Sequence, residues 1–229
     1  INRIVTDSIS TYFFTTTPEA GQNLIGEGVD ENKIFWVGNT MIDTLLQNRL
    51  RFYAPKVYNE LCLSENPYII VTLHRPSNVD FAESLIPILQ VIEHNAAGIK
   101  FIFPAHPRTA RILNELNFIG QSIHIIEPLS YLEFNFLVMH AAGVITDSGG
   151  ITEETTVLNI PCITLRDNTE RPETCMLGTN VLVGSDMQKF TDFLQRMVNG
   201  QWHKGQIPEL WDGKTSERIV QELRKFSLK

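Results

Sequence analysis

Short apolar runs alternate along this chain with segments whose apolar residues recur at helical spacing. That alternation is the mark of a parallel sheet whose strands are joined by helices. The runs predict strands at Tyr68–Leu73, Phe101–Pro104, Ile123–Ile126, Gly143–Thr146, Cys162–Leu165 and Val181–Val183. The intervening spacing predicts helices near Phe81–Asn95, Arg108–Leu116, Tyr131–Ala142, Gly149–Leu158 and Met187–Val198. Ile69-Ile-Val-Thr-Leu73 is apolar at both alternating sets of positions, as a strand covered by helices on each side requires. Asp80 and Ser130 stand where the N-caps of the following helices are expected. Upstream, Thr17-Pro18-Glu19 predicts a helix start closed by Gly26 or Gly28, and Phe35–Gly38 a short strand. Lys214–Phe226 predicts an amphipathic helix with Ile219, Val220, Leu223 and Phe226 on one stripe.

The expected class is therefore α/β, a Rossmann-like parallel sheet with helices on both faces. Residues 1–38 hold too little to form their own sheet and read as the tail of a further domain. Residues 39–212 then form the main domain, and 213–229 a returning C-terminal helix. Ile1 followed by the polar Asn2, Arg3, Thr6, Asp7 and Ser8 looks cut from something longer.

Length and charge narrow the chemistry. The 229 residues suffice for one good core, and the net charge of −7 argues against a general nucleic-acid or membrane-surface binder. An anionic ligand must be held by local donors and a few placed arginines. No apolar run is long enough to span a bilayer and no secretory signal opens the chain, so a cytoplasmic protein is expected. Cys62, Cys162 and Cys175 show neither zinc nor disulfide spacing, and the histidines form no ligand pair. Neither a metal nor a cofactor is expected.

The segment with most chemistry is Gly143-Val-Ile-Thr-Asp-Ser-Gly-Gly-Ile-Thr-Glu-Glu154. A buried strand ends in Ser148, Gly149 and Gly150, and a helix starts at once. Such a turn offers bare backbone N–H groups and a positive helix end to a phosphate. Glu154 lies four residues beyond Gly150, on the same helix face and about 6 Å along the axis. That is roughly the distance from a nucleotide's phosphates to its ribose hydroxyls, and a carboxylate accepts well from a diol. A nucleoside-diphosphate site is one reading; a tight turn with glutamates favoured by the helix dipole is the other.

Ligands of doubly wound sheets lie beyond the carboxyl ends of the strands. Three loops there carry basic or titratable groups: His74–Asn78, Pro104–Arg108 and Arg166–Glu173. Each alone also reads as a solvated loop, and His106 between prolines equally as a structural turn residue. Arginine suits a diphosphate because its planar fork donates two parallel hydrogen bonds.

Four segments together resemble the motif set of the UDP-N-acetylglucosamine 2-epimerases. They are Val71-Thr-Leu-His-Arg-Pro-Ser-Asn-Val-Asp80, Phe103-Pro-Ala-His-Pro-Arg108, Ile145-Thr-Asp-Ser-Gly-Gly-Ile-Thr-Glu-Glu154 and Leu165-Arg-Asp-Asn-Thr-Glu-Arg-Pro-Glu173. Glu27-Gly-Val and Val37-Gly-Asn-Thr-Met-Ile-Asp43 resemble that family's inter-domain region. The resemblance implies one half of a B-type-glycosyltransferase-like enzyme with two facing Rossmann-like domains, working without NAD and, as a whole protein, as a homodimer. It implies an isomerase of polysaccharide biosynthesis that eliminates UDP across C1–C2 of UDP-GlcNAc and re-adds it to give UDP-ManNAc. By the same resemblance Ser148, Gly149 and Gly150 bind the diphosphate with Arg171, Glu154 takes the ribose, and Phe134 lies beside the uracil. His74 and Arg3 match active-site positions, and Arg75 and His106 a second, regulatory UDP-sugar site. Ser77 departs from the acidic residue common there. The family's acid/base carboxylates lie upstream of the position matching Ile1, so the expectation is a UDP-binding, carboxyl-terminal half that is inactive alone. The alternatives are the donor-binding half of a glycosyltransferase, which the Arg166–Glu173 loop and His74-Arg75 suit less well, and a non-catalytic UDP-sugar sensor.

Overall fold

The computed structural model describes residues 2–227. Its contacts divide the chain into two compact units, Ile1–Gln47 with Pro208–Lys229, and Asn48–Ile207. These boundaries fall at 47/48 and 207/208, beside the 38/39 and 212/213 expected from sequence.

The first unit opens with α1 (Asn2–Ile9), β1 (Phe13–Thr15), α2 (Pro18–Gly26), β2 (Ile34–Trp36) and α3 (Thr40–Asn48). Thr17 caps α2 by accepting from the Ala20 amide, with Pro18 at the first helical position, as the sequence predicts. One expectation needs correcting: residues 1–38 do form a sheet, because β1 pairs in parallel with β2, Phe14 opposite Phe35. The Phe13-Phe14-Thr15 run is too brief to stand out as a strand.

The second unit runs through α4 (Lys56–Glu60), β3 (Tyr68–Thr72), α5 (Pro76–Val79), α6 (Ala82–His94), β4 (Lys100–Pro104), α7 (Pro107–Glu115), β5 (Ile123–Ile126) and α8 (Tyr131–His140). It continues with β6 (Gly143–Thr146), α9 (Gly149–Leu158), β7 (Cys162–Thr164), α10 (Pro172–Met176), β8 (Asn180–Leu182) and α11 (Met187–Val198). The chain then returns to the first unit, where α12 (Thr215–Ser227) has its first amides held by the buried Asp43 carboxylate: Thr215 N at 3.0 Å and Ser216 N at 2.7 Å. Hydrogen bonds from Ser216 and Thr215 outweigh the upward push of burial and hold the Asp43 pKa below its ordinary value.

Six strands form one all-parallel sheet in the order β5-β4-β3-β6-β7-β8. The order reverses between β3 and β6, which is the doubly wound arrangement with its switch point at that pair. Alternate side chains go to opposite faces. Ile69, Val71, Phe101, Phe103 and Ile145 pack with Leu85, Leu89, Phe190 and Leu194 of α6 and α11. Tyr68, Ile70, Ile102 and Val144 pack on the other face with Leu137 and Val138 of α8 and with Ile151 and Leu158 of α9. This is the Rossmann-like sheet with helices on both faces, and it explains why β3 is apolar throughout.

Ser130 caps α8 with a full capping box, its Oγ accepting from the Glu133 amide and the Glu133 carboxylate accepting back. Asp80 does not cap α6. It has α-helical backbone angles as the residue that closes α5 and accepts from Arg108 at 2.5 Å. Phe81, in an extended conformation, takes the N-cap position instead. The short α5 turn, which the sequence presents as loop, uses up Asp80.

Candidate functional site

The switch point brings two loops together at the carboxyl ends of β3 and β6: His74–Asn78 and the Ser148–Gly150 turn. They are tied by Asp147, which is fully buried. Its carboxylate accepts from the His74 amide at 3.1 Å, the Arg75 amide at 3.0 Å and Asn78 Nδ2 at 3.0 Å. His74 Nδ1 lies 2.8 Å from Asp147 Oδ1. An ionised carboxylate only accepts, so His74 carries its proton on Nδ1 and turns Nε2 away from Asp147. Arg75 Nε donates to the Asp147 carbonyl at 3.1 Å. Replacing Asp147 by asparagine sets an NH2 among these donors. Stability is expected to fall by about 1–3 kcal/mol, read as a lower unfolding midpoint in urea.

At the glycine turn Ser148 is the N-cap of α9, yet its side chain makes no capping hydrogen bond. The Ser148 amide is taken internally, by Thr146 Oγ1 at 3.0 Å. The Gly149 and Gly150 amides find no acceptor among the described residues. Two of the three expected main-chain donors are therefore free for an anion at a positive helix end.

The β7–α10 loop lies against this turn. Arg166, its side chain 4% exposed, pairs with Glu170 at 2.7 Å. Its Nη1 stands 3.4 Å from where a Cβ on Gly149 would sit, and Glu170 Oε2 stands 3.9 Å away. Arg171 donates through Nε to Glu153, a nearly buried carboxylate on the first turns of α9, and through Nη1 to the Glu170 carbonyl at 3.1 Å. Two guanidinium groups thus flank the start of α9. From sequence only Arg171 is expected in this place, and Arg166 carries no assigned role.

One turn further along α9, Glu154 is 4% exposed. Tyr131 donates to its Oε1 at 2.9 Å. Burial raises the Glu154 pKa, with hydrogen bonds from Tyr131 and Asn135 opposing and the charge of Glu153 adding to the rise. Burial, the Glu154 charge and that hydrogen bond push the Tyr131 phenol well up, so it remains a donor at neutral pH.

Phe134, on α8, lines a cavity of about 210 Å³ with Thr72, His74, His106 and Leu129. His106 also caps α7, its Nδ1 accepting from the Arg108 amide at 3.4 Å. Arg75 lines a different cavity of about 480 Å³, with Ser77, Asn78, Arg166 and Ser185. Arg3 belongs to the first unit, where it is bidentate to Glu27 at 2.7 and 2.6 Å and reaches Asp7 at 2.8 Å.

Sequence reasoning missed three residues of the site. Asp147 directly follows β6 and Arg166 lies two residues past β7, just beyond buried strands where a charge signals a partner. Tyr131 carries no such signal, because only the packing of α8 on α9 brings it to Glu154. No group of His, Cys, Asp and Glu among the described residues is arranged to hold a metal ion. No helix is long and apolar enough to cross a membrane among the described residues.

An open helix start at the switch point of a doubly wound sheet occurs in many nucleotide-binding proteins, but this chain's likeness is narrower. The family model described as UDP-N-acetylglucosamine 2-epimerase matches residues 1–224. A UDP-N-acetylglucosamine 2-epimerase of Methanocaldococcus jannaschii is 42% identical over 97% of this chain and 63% of its own length. A crystal structure of the Methanocaldococcus jannaschii UDP-GlcNAc 2-epimerase in complex with UDP-GlcNAc and UDP matches at 42% identity. Its TM-score is 0.82, over 98% of this chain and 64% of that one. The Pseudomonas aeruginosa UDP-2,3-diacetamido-2,3-dideoxy-D-glucuronate 2-epimerase is 33% identical over 99% of this chain and 63% of its own length. The chain thus spans less than two thirds of the relatives it matches. Since the family model takes in nearly every residue described, the chain belongs to the UDP-N-acetylglucosamine 2-epimerase family.

Proposed function

We propose that this chain is the UDP-binding part of an enzyme that epimerises UDP-N-acetylglucosamine at C2, with the nucleotide seated on the second unit. The observation that carries the reading is the open start of α9: two unpartnered glycine amides, two flanking arginines and a buried carboxylate one turn further in. The Methanocaldococcus jannaschii relative crystallised with UDP-GlcNAc and UDP supports the choice of nucleotide. On this reading residues 1–38 belong with an upstream domain.

In the roles we assign, the diphosphate meets the Gly149 and Gly150 amides and the Arg171 fork, and the ribose diol donates to Glu154. The uracil enters the cavity beside Phe134. When the C2 proton is removed, the C1–O bond breaks, C1=C2 forms and the electron pair goes to the departing diphosphate. Positive donors fixed where that charge grows lower the barrier in both directions. His74, held by Asp147, presents Nε2 to the leaving group. Re-addition of UDP after protonation of the opposite face inverts C2. The carboxylates that the family resemblance gives to the C2 proton match no residue of this chain. Alone it is expected to bind UDP and to leave C2 unexchanged.

Glu154→Ala tests the ribose assignment. UDP affinity is expected to drop about 10- to 100-fold, the worth of a hydrogen bond to a charged acceptor, while pyrophosphate binding stays nearly constant by calorimetry. Equal losses for both ligands would sink the assignment. The raised Glu154 pKa adds a pH signature. Between its ordinary value and the raised one, the folded state keeps a proton that the unfolded chain has released. Stability from this group is therefore full below the ordinary value and is lost as pH rises through the raised one. Glu154→Gln is expected to remove that slope from the unfolding curves.

A further inference from the structure

Arg166 flanks the open turn but is given no ligand in the reading above, and its Nη1 stands 3.4 Å from the Cβ position of Gly149. With its side chain 4% exposed, it is almost wholly out of water. A guanidinium has five N–H donors. The Arg166 donors reach one acceptor, Glu170, through Nη2, and its Nε is buried without a partner among the described residues. Glu170 itself is 65% exposed at the side chain. Its free oxygen, Oε2, lies 3.9 Å from the Cβ position of Gly149, at the uncapped start of α9. A carboxylate that pairs with an arginine and lies beside a bare helix N-terminus occupies the kind of place chemistry would give a phosphate oxygen.

We infer that Arg166 is a ligand of the diphosphate, and that the Glu170 carboxylate holds its place until the diphosphate arrives. The inference rests on the Ser148–Gly150 turn being the diphosphate site. The arrangement has a physical logic. A buried guanidinium facing a positive helix end needs a counter-ion at all times, and Glu170 supplies one while the site is empty. Because Glu170 is exposed, it swings into water without breaking the core. The arriving diphosphate takes the Nη2 donor, the idle Nε donor and the glycine amides in the same movement. The Glu170 pKa agrees: a hydrogen bond from Arg166 lowers it against the upward push of burial, and the charges of Arg166 and Arg75 lower it further.

An internal anion competes with the ligand, so removing its charge raises affinity. Glu170→Gln is expected to bind inorganic pyrophosphate about 3- to 10-fold more tightly than the unmodified chain in calorimetry. A direct readout is the arginine Nε–H region of the nitrogen–proton correlation spectrum of the 229-residue chain, with the Arg166 signal identified by its loss in Arg166→Lys. On titration with pyrophosphate that signal is expected to move downfield together with the Gly149 and Gly150 amides. If those amides move while the Arg166 signal stays, or if Glu170→Gln weakens binding, the inference is overturned and the diphosphate turn survives. If the glycine amides themselves stay still, both readings fall together.

Discussion

Replacing Arg171 with alanine is expected to weaken UDP binding by about 2–5 kcal/mol, some 30- to several-thousand-fold. The loss has two sources. The diphosphate forfeits a fork of charge-assisted donors in a partly desolvated place. In addition Glu153, with its side chain only 2% exposed, loses its cation and becomes an unpaired negative charge at the base of an anion site. The double replacement Arg171→Ala with Glu153→Gln removes that second source and is expected to recover part of the affinity. Calorimetry on both variants checks the pair. A single-variant loss below about twofold would mean that Arg171 serves the fold and not the ligand.

Gly149→Val is expected to abolish binding of both UDP and pyrophosphate, with the unfolding midpoint changed little. A Cβ here meets no backbone: its nearest neighbours are Arg166 Nη1 at 3.4 Å and Glu170 Oε2 at 3.9 Å, both side-chain ends. The turn itself therefore has room for an added Cβ. The ligand does not, because the branched carbons fill the approach to the Gly149 and Gly150 amides. Titration by calorimetry beside a thermal melt separates the two effects. A folded Gly149→Val variant that still bound pyrophosphate would show that the anion sits elsewhere.

Most of the sheet was legible because burial on both faces leaves no ambiguity of period. Ile69 and Val71 go to one core and Tyr68 and Ile70 to the other, so a run like this reads as a strand without knowing its neighbours. Ser130 was legible as a cap because its Glu133 partner is three residues away. Short helices were not: α5 and α10 have proline at their starts, yet four and five residues are too few to show a helical period. The same limit separates the site residues. Gly149, Gly150 and Glu154 stand on successive turns of one helix and declare themselves by spacing. Asp147 reaching His74 across 73 positions, and Tyr131 reaching Glu154 across 23, arise only from strand pairing and helix packing. Arg166 lies inside a quoted motif, but its closeness to Gly149 depends on how the β7–α10 loop folds back.

The central claim is that UDP lies with its diphosphate on the free amides of the glycine turn and its ribose on Glu154. A crystal structure of the 229-residue chain grown with UDP tests it most directly. The account predicts β-phosphate oxygens about 3 Å from the Gly149 and Gly150 nitrogens and ribose hydroxyls at hydrogen-bond distance from Glu154. UDP bound elsewhere with the turn left empty, or bound there with its ribose turned away from Glu154, would contradict it.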